Sequence, residues 1–267
     1  MRSADAIEYE VIAVRYGTLI SRRSALYFDW EAYGEPDAEE RLDYFFYVLR
    51  HGGDTIVLDT GFHPDEGRRR GRTCLIHPRD ALIELGIDPG EVSRVIVSHL
   101  HYDHIGNLDL FPRARVHVPE RELSFWTSDI ARQTQFAQHI EPAAISRLVG
   151  LEHENRIDRY DGTAHLAPGL RAITVGGHSP GQQVFVVETA GDPVVLASDA
   201  AHFYEELDYD RPFGIVVNLV EMYRAYEMLR NLGQDLNAVV VPGHDPRVTE
   251  RFEALSGAPD GLAFRLG

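Results

Sequence analysis

Short apolar runs separated by polar punctuation organise this chain. Residues 7–20 read as a strand, and residues 22–41 as an irregular, polar, acidic connection. Tyr44-Phe45-Phe46-Tyr47-Val48-Leu49 and Thr55-Ile56-Val57-Leu58 flank His51-Gly52-Gly53-Asp54, which predicts a β-hairpin. Residues 62–77 read as loop and carry the basic run Arg68-Arg69-Arg70-Gly71-Arg72. A helix is expected over 78–86, opening on Pro78 and closing on Gly86. A strand follows over 92–98 and another over 113–118, then a largely helical stretch from 119 to 158 broken near Pro142. Strands are expected at about 169–175, 183–188 and 193–198. Asn218 with Glu221 predicts a capped helix start. That helix carries the stripe Leu219, Met222, Tyr223, Tyr226 and Leu229 and stops at Gly233. Ala238-Val239-Val240-Val241 reads as the last buried strand.

The alternation of strands and helices over 267 residues predicts one α/β unit, with residues about 120–158 as a helical insertion over the site. A hydrophobic content of 44% and a charged content of 25% are those of an ordinary globular chain. The formal charge of −16 argues against nucleic acid and anionic membrane as partners. No stretch reaches the roughly 18–20 apolar residues that span a bilayer, and no signal-peptide pattern opens the chain. A cytoplasmic location is the resulting expectation. Cys74, the one cysteine, offers neither an internal disulfide nor a thiolate metal site.

The chemistry concentrates in Ser98-His99-Leu100-His101-Tyr102-Asp103-His104. Three imidazoles and a carboxylate beside a buried-looking run are costly to bury unless each finds a partner. A divalent cation supplies one, taking neutral imidazole nitrogen and carboxylate oxygen together. Other strand ends repeat the arrangement. Leu58 precedes Asp59, Val175-Gly176-Gly177 precedes His178, Leu196-Ala197-Ser198 precedes Asp199, and Val241-Pro242-Gly243 precedes His244. Ligands collect at strand ends, where loops re-aim side chains above a rigid frame. His99, His101 and His178 would serve one metal, and Asp103, His104 and His244 a second. Asp199 would reach both.

This constellation resembles the metallo-β-lactamase superfamily, through the His-X-His-X-Asp-His run at 99–104 and the later His178, Asp199 and His244. The resemblance implies a four-layer αβ/βα sandwich spanning 1–267, two bound divalent ions, most simply zinc, and Asp59 supporting the ligands from behind. Within that superfamily the chain is most similar to the N-acyl homoserine lactonases, by its Asn107-Leu108 continuation, its Gly177-His178-Ser179-Pro180-Gly181-Gln182 run and its His244 ending. The implied reaction is opening of an N-acyl homoserine lactone or related cyclic ester by a hydroxide shared between the metals. Zinc brings the pKa of bound water from about 15.7 to near 7. Asp103 is the candidate proton shuttle. The lactonases carry a tyrosine three residues beyond the bridging aspartate, and His202 stands there in this chain. His202 is therefore the candidate contact to the substrate carbonyl, with Tyr204 as the second.

Phe125, Trp126, Phe136, His139 and Phe203 are candidates for lining the substrate pocket. The expected partner is a small acyl substrate, and the resemblance is consistent with a homodimer. The same ligand set also suits a thioester hydrolase of the hydroxyacylglutathione hydrolase type or a hydrolase of another cyclic ester or amide. A phosphodiesterase fits the ligands, but the acidic charge argues against a polyanion. A metal-binding protein without turnover is the reading from a different class.

Overall fold

The computed structural model describes residues 7–257 and 261–267. Its frame is a pair of β-sheets. The first contains β1 (Glu10–Arg22), β2 (Glu39–His51), β3 (Asp54–Leu58), β4 (Thr73–Cys74), β5 (Arg94–Ile96), β6 (Arg115–Pro119) and β7 (Ile157–Tyr160). The second contains β8 (Thr163–Ala167), β9 (Leu170–Thr174), β10 (Gln183–Val187), β11 (Val194–Ser198) and β12 (Val239–Pro242). The short β13 (Glu253–Ala254) and β14 (Ala263–Arg265) return to the first sheet. The main strand orders are β13-β14-β1-β2-β3-β5-β6-β7, with β4 on β1, and β12-β11-β10-β9-β8. Strands β3, β5, β6 and β7 run parallel, as do β11 and β12.

Alternation along each strand decides what the sheets cover. From β1, Val11 and Ala13 enter the core between the sheets, while Ile12, Val14 and Tyr16 enter the outer core. Along β2, Phe45, Tyr47 and Leu49 point between the sheets, and Tyr44, Phe46 and Val48 point outward. Both faces of β2 are covered, which is why its sequence is a continuous apolar run. Phe185, Val187, Leu196 and Val241 meet the first sheet from the second. Each such side chain, buried from water, contributes about 1.5–3 kcal/mol. The outer face of the second sheet packs against helix Leu219–Asp235 through Met222, Ala225, Tyr226 and Leu229. No helix among the described residues is long and apolar enough to cross a membrane.

The expected hairpin forms, with His51 paired to Asp54 across Gly52-Gly53. The expected Pro78 helix ends at Glu84, and Gly86 takes the left-handed conformation just beyond it. Other expectations need correction. The stretch 62–77 is not all loop: Pro64–Arg69 is a helix, and Thr73–Cys74 pairs with Gly17 and Thr18 of β1. The helical stretch ends at His153, since residues 157–160 form β7. The long helix passes through Gly233 to Asp235, and Asn237 is the left-handed residue that follows. A Cβ on Gly233 would come within 3.1 Å of Val240 Cγ2, so packing on β12 accounts for this glycine. In the expected apolar stripe, Tyr223 is exposed and Ala225 takes an inward place. Asn218 caps the helix by accepting from the Val220 and Glu221 amides.

Candidate metal centre

Four strand ends deliver side chains to one buried cluster. His99 and His101 follow β5, and Asp103 and His104 open the short helix Tyr102–Ile105. His178 lies between β9 and β10, Asp199 follows β11, and His244 follows β12. Close backbone approaches make this possible. Gly177 sits at φ +87°, and a Cβ there would meet the Met222 backbone at 2.7 Å. A Cβ on Gly243 would lie 2.7 Å from the Ser198 carbonyl oxygen. Ser198 and Asp59 both hold left-handed backbone, at φ 46° and 62°. Such conformations cost energy for non-glycine residues and persist where surrounding structure enforces them.

The seven side chains divide into two groups around Asp199. Its Oδ2 lies 3.7 Å from His99 Nε2 and 3.4 Å from His178 Nε2. Its Oδ1 lies 3.4 Å from His104 Nε2 and 3.1 Å from His244 Nε2. His101 Nδ1 is 2.9 Å from His178 Nε2. Asp103 carboxylate oxygens lie 3.8 Å from His104 Nε2 and 3.9 Å from His244 Nε2. The groups His99, His101, His178, Asp199 and Asp103, His104, His244 each bring their ligand atoms within 4.8 Å of one another.

The outer edges of the rings are tied down. His178 Nδ1 bonds the Ile215 carbonyl at 2.9 Å, and His244 Nδ1 bonds the Asp43 carbonyl at 2.8 Å. His104 Nδ1 lies 2.8 Å from Asp59 Oδ2, and Asp59 also accepts from the Ser98 amide and hydroxyl at 2.8 Å each. A proton placed on Nδ1 by such partners leaves Nε2 as a lone-pair donor facing inward. His99 Nε2, His101 Nε2 and His104 Nε2 are buried without a hydrogen-bond partner. Burial, reinforced by neighbouring histidines, holds His99, His101 and His178 well below the usual histidine range, so these rings are neutral. Burial pushes the Asp199 carboxyl up, but His244, His104, His202 and His99 outweigh it and hold it well below the usual carboxylate range. Neutral inward-facing imidazoles around an ionised carboxylate are a donor set that suits divalent cations.

A cavity of about 200 Å³ opens onto this cluster. His101, Asp103, His178, Asp199, His202 and His244 form its floor. Leu19, Leu26, Leu42, Phe213 and Ile215 supply apolar wall, while Tyr44, Tyr102, Arg70, Arg72, Gln138 and His139 supply polar wall. His202 Nε2 lies 3.2 Å from Asp199 Oδ2, and its ring stacks on Phe213 with centroids 3.6 Å apart. His202 is also near enough to Asp199 and His244 to form a third possible ligand group. Burial lowers its pKa, but Asp199 and Glu206 reverse that and raise it to about 9.

Of the expected pocket residues, His139 lines the cavity and the others are placed elsewhere. Trp126 packs its ring 5.3 Å from His101 and is braced by Phe125 and Phe136. Phe203 stacks on Tyr27. Tyr204 turns into the core between the sheets, with the Arg251 guanidinium 3.8 Å from its ring centroid, so it does not face the cavity. Among the buried carboxylates that the sequence reading did not single out, Glu122 and Glu206 tie the site together. Glu122 accepts from the Leu100 and Gly181 amides, the Trp126 indole and the Ser179 hydroxyl, joining the two ligand loops. Glu206 accepts from the His202 and Phe203 amides and the Tyr226 hydroxyl. The helical pattern would have marked Glu122 only through its i, i+4 spacing to Trp126.

Two buried nitrogen clusters sharing one carboxylate, set at strand ends of a paired-sheet frame, define a metallohydrolase type of architecture. The family comparison agrees: the metallo-beta-lactamase superfamily model matches residues 41–244, and the chain belongs to that superfamily. The chain is 32% identical over 181 residues to N-acyl homoserine lactonase AttM of Azorhizobium caulinodans, covering 66% of each protein. It is 30% identical over 227 residues to N-acyl homoserine lactonase AttM of Agrobacterium fabrum, covering 78% of this chain and 84% of that one. The fold matches a solved quorum-quenching N-acyl homoserine lactone lactonase with a TM-score of 0.78 at 19% identity, over 94% of this chain and 97% of that one.

Proposed function

We propose that this protein is a two-metal hydrolase that opens the ring ester of a lactone, an N-acyl homoserine lactone or a related cyclic ester. The observation that carries the reading is the split Asp199 carboxylate, one oxygen facing His99 and His178 and the other facing His104 and His244. The relatives that bear the lactonase name support the choice of substrate class. His99, His101 and His178 would hold one cation, Asp103, His104 and His244 the other, and Asp199 would touch both. Zinc suits imidazole with carboxylate. Such ions, when bound, acidify water and polarise a carbonyl oxygen.

The chain's own residues supply the rest. Asp103 lines the cavity floor and would take a proton and return it to the leaving alkoxide. His202, held by Glu206 and Phe213 at the cavity floor with Nε2 3.2 Å from Asp199 Oδ2, would donate to the developing oxyanion. Leu19, Leu26, Leu42 and Phe213 give the acyl group an apolar wall. The segment from Glu120 to His153 contributes Gln138 and His139 to the opposite wall and acts as a cap built into one domain.

The test compares zinc-loaded with chelator-treated protein on N-acyl homoserine lactones, S-acyl glutathione thioesters and an aryl phosphodiester. Ring opening that is fastest on the lactones and disappears on chelation is expected. Faster turnover of a thioester or phosphodiester, with the lactones intact, would overturn the reading.

A further inference from the structure

The basic run from Arg68 to Arg72 does not behave as one cluster. Arg68 pairs with Asp65 at 3.1 Å in solvent. Arg69 pairs with Glu141 at 3.0 Å and also with Glu66. Arg70 pairs with Glu66, donates to the Gln138 and Ile140 carbonyls, and lies 4.1 Å over the Tyr102 ring. Arg72 differs from the other three. It lines the cavity and forms no ion pair among the described residues. Its Nε donates to the Tyr102 hydroxyl at 3.1 Å, and its Nη1 donates to the Arg70 carbonyl.

A proton count shows what this wall lacks. The Tyr102 and Tyr44 hydroxyls lie 3.3 Å apart, so one donates to the other. Whichever donates, the second phenol keeps a hydrogen without an acceptor in the pair. The Nη2 hydrogens of Arg72 are likewise unspent. A guanidinium with its Nη2 hydrogens unspent, no carboxylate partner and a phenol donor beside it matches a planar anion. Neutral acceptors can take such donors, but only an anion also offsets the guanidinium charge in a half-buried site. The overall charge of −16 sharpens the point, because the protein places this unpaired cation beside its catalytic floor rather than pairing it with one of its many carboxylates.

We propose that Arg72, with the Tyr102 and Tyr44 phenols, recognises a carboxylate on the substrate, so that the enzyme selects lactones whose acyl group ends in an acid. The inference rests on the lactone reading above and names its substrate class more narrowly. Arg72 is a specificity residue here; it takes no part in bond breaking.

Two measurements test it. The first is kcat/KM of the zinc-loaded enzyme on N-glutaryl and N-hexanoyl homoserine lactone, which are similar in length and differ in the terminal acid. The wild type should prefer the glutaryl substrate, and Arg72→Gln should cut that preference by about tenfold or more, mainly through KM. The second is calorimetric binding of glutaramate, an amide that ends in an acid, and of neutral hexanamide to the same proteins, which needs no turnover. Glutaramate should bind the wild type more tightly than hexanamide does, and Arg72→Gln should weaken glutaramate by about tenfold or more. Arg72→Lys and Tyr102→Phe should each retain part of the preference. If neither lactone opens, the lactone reading fails while the glutaramate measurement still decides the role of Arg72. Equal binding of glutaramate and hexanamide by the wild type, or glutaramate binding unchanged in Arg72→Gln, would overturn the proposal. So would an Arg72→Gln variant that slows both lactones alike, which would assign Arg72 to their shared amide carbonyl.

Discussion

The two halves of the ligand cluster are held in different ways. His99, His101 and His178 form a group of imidazoles whose outer contacts are a serine hydroxyl, a backbone carbonyl and the Trp126 ring. Asp103, His104 and His244 form a group with a carboxylate of its own and a second carboxylate, Asp59, gripping His104 from behind. The first half is neutral because burial and mutual repulsion keep protons off its rings. In the second half, burial works against a proton on His104, but Asp199, Asp59 and Asp103 outweigh it and raise its pKa well above the usual range. One half is thus preorganised by geometry and the other by charge. Among the described residues of the cluster, Asp199 is the one whose carboxylate faces both groups.

The largest effect on this division should come from Asp199→Asn. Removing the shared charge should lower lactone turnover by about 10³-fold or more and reduce bound zinc in both halves, as read by metal analysis and steady-state rates. Loss from one half alone would show that the carboxylate is not shared. His104→Ala should strike the second half selectively, strongly reducing turnover and leaving one tightly held zinc per chain. Unchanged activity would count against the second position. Asp59→Asn keeps every ligand but removes the charged support, and should weaken the second zinc by about 10–100-fold in a chelator competition. An affinity equal to wild type would mean that Ser98 and the loop hold His104 without it. The smallest effect is expected from His202→Ala, which should lower kcat/KM by about tenfold or more with zinc content intact. Should that variant emerge depleted of zinc, His202 belongs among the ligands, as its distance to Asp199 permits.

The gathering of His99, His101, Asp103, His104, His178, Asp199 and His244 into one buried cluster was legible in the sequence because these residues follow apolar runs, and a strand end is a local feature. The long β2 was legible for the same reason, its aromatics being buried on both faces. Strands β7 and β8 were not. They are sheet edges, and Ile157-Asp158-Arg159-Tyr160 and Thr163-Ala164-His165-Leu166-Ala167 carry polar residues where a central strand would not. Glu122 stands in Glu120-Arg121-Glu122 and looks like a solvated helix face; only the packing of two distant loops around it buries it. The aromatic candidates failed as pocket residues because an aromatic near a site in sequence can as readily brace a ligand as face the substrate. Trp126 does the former, packing on His101. The basic run was visible, but which arginine lacks a carboxylate depends on Glu66 and Glu141, from separate segments.

The paired-cation claim is tested most directly by native mass spectrometry of the zinc-reconstituted protein after removal of free metal. The account predicts a mass increment of two zinc ions per chain for the wild type. A wild type that retains a single zinc, or none, would contradict it.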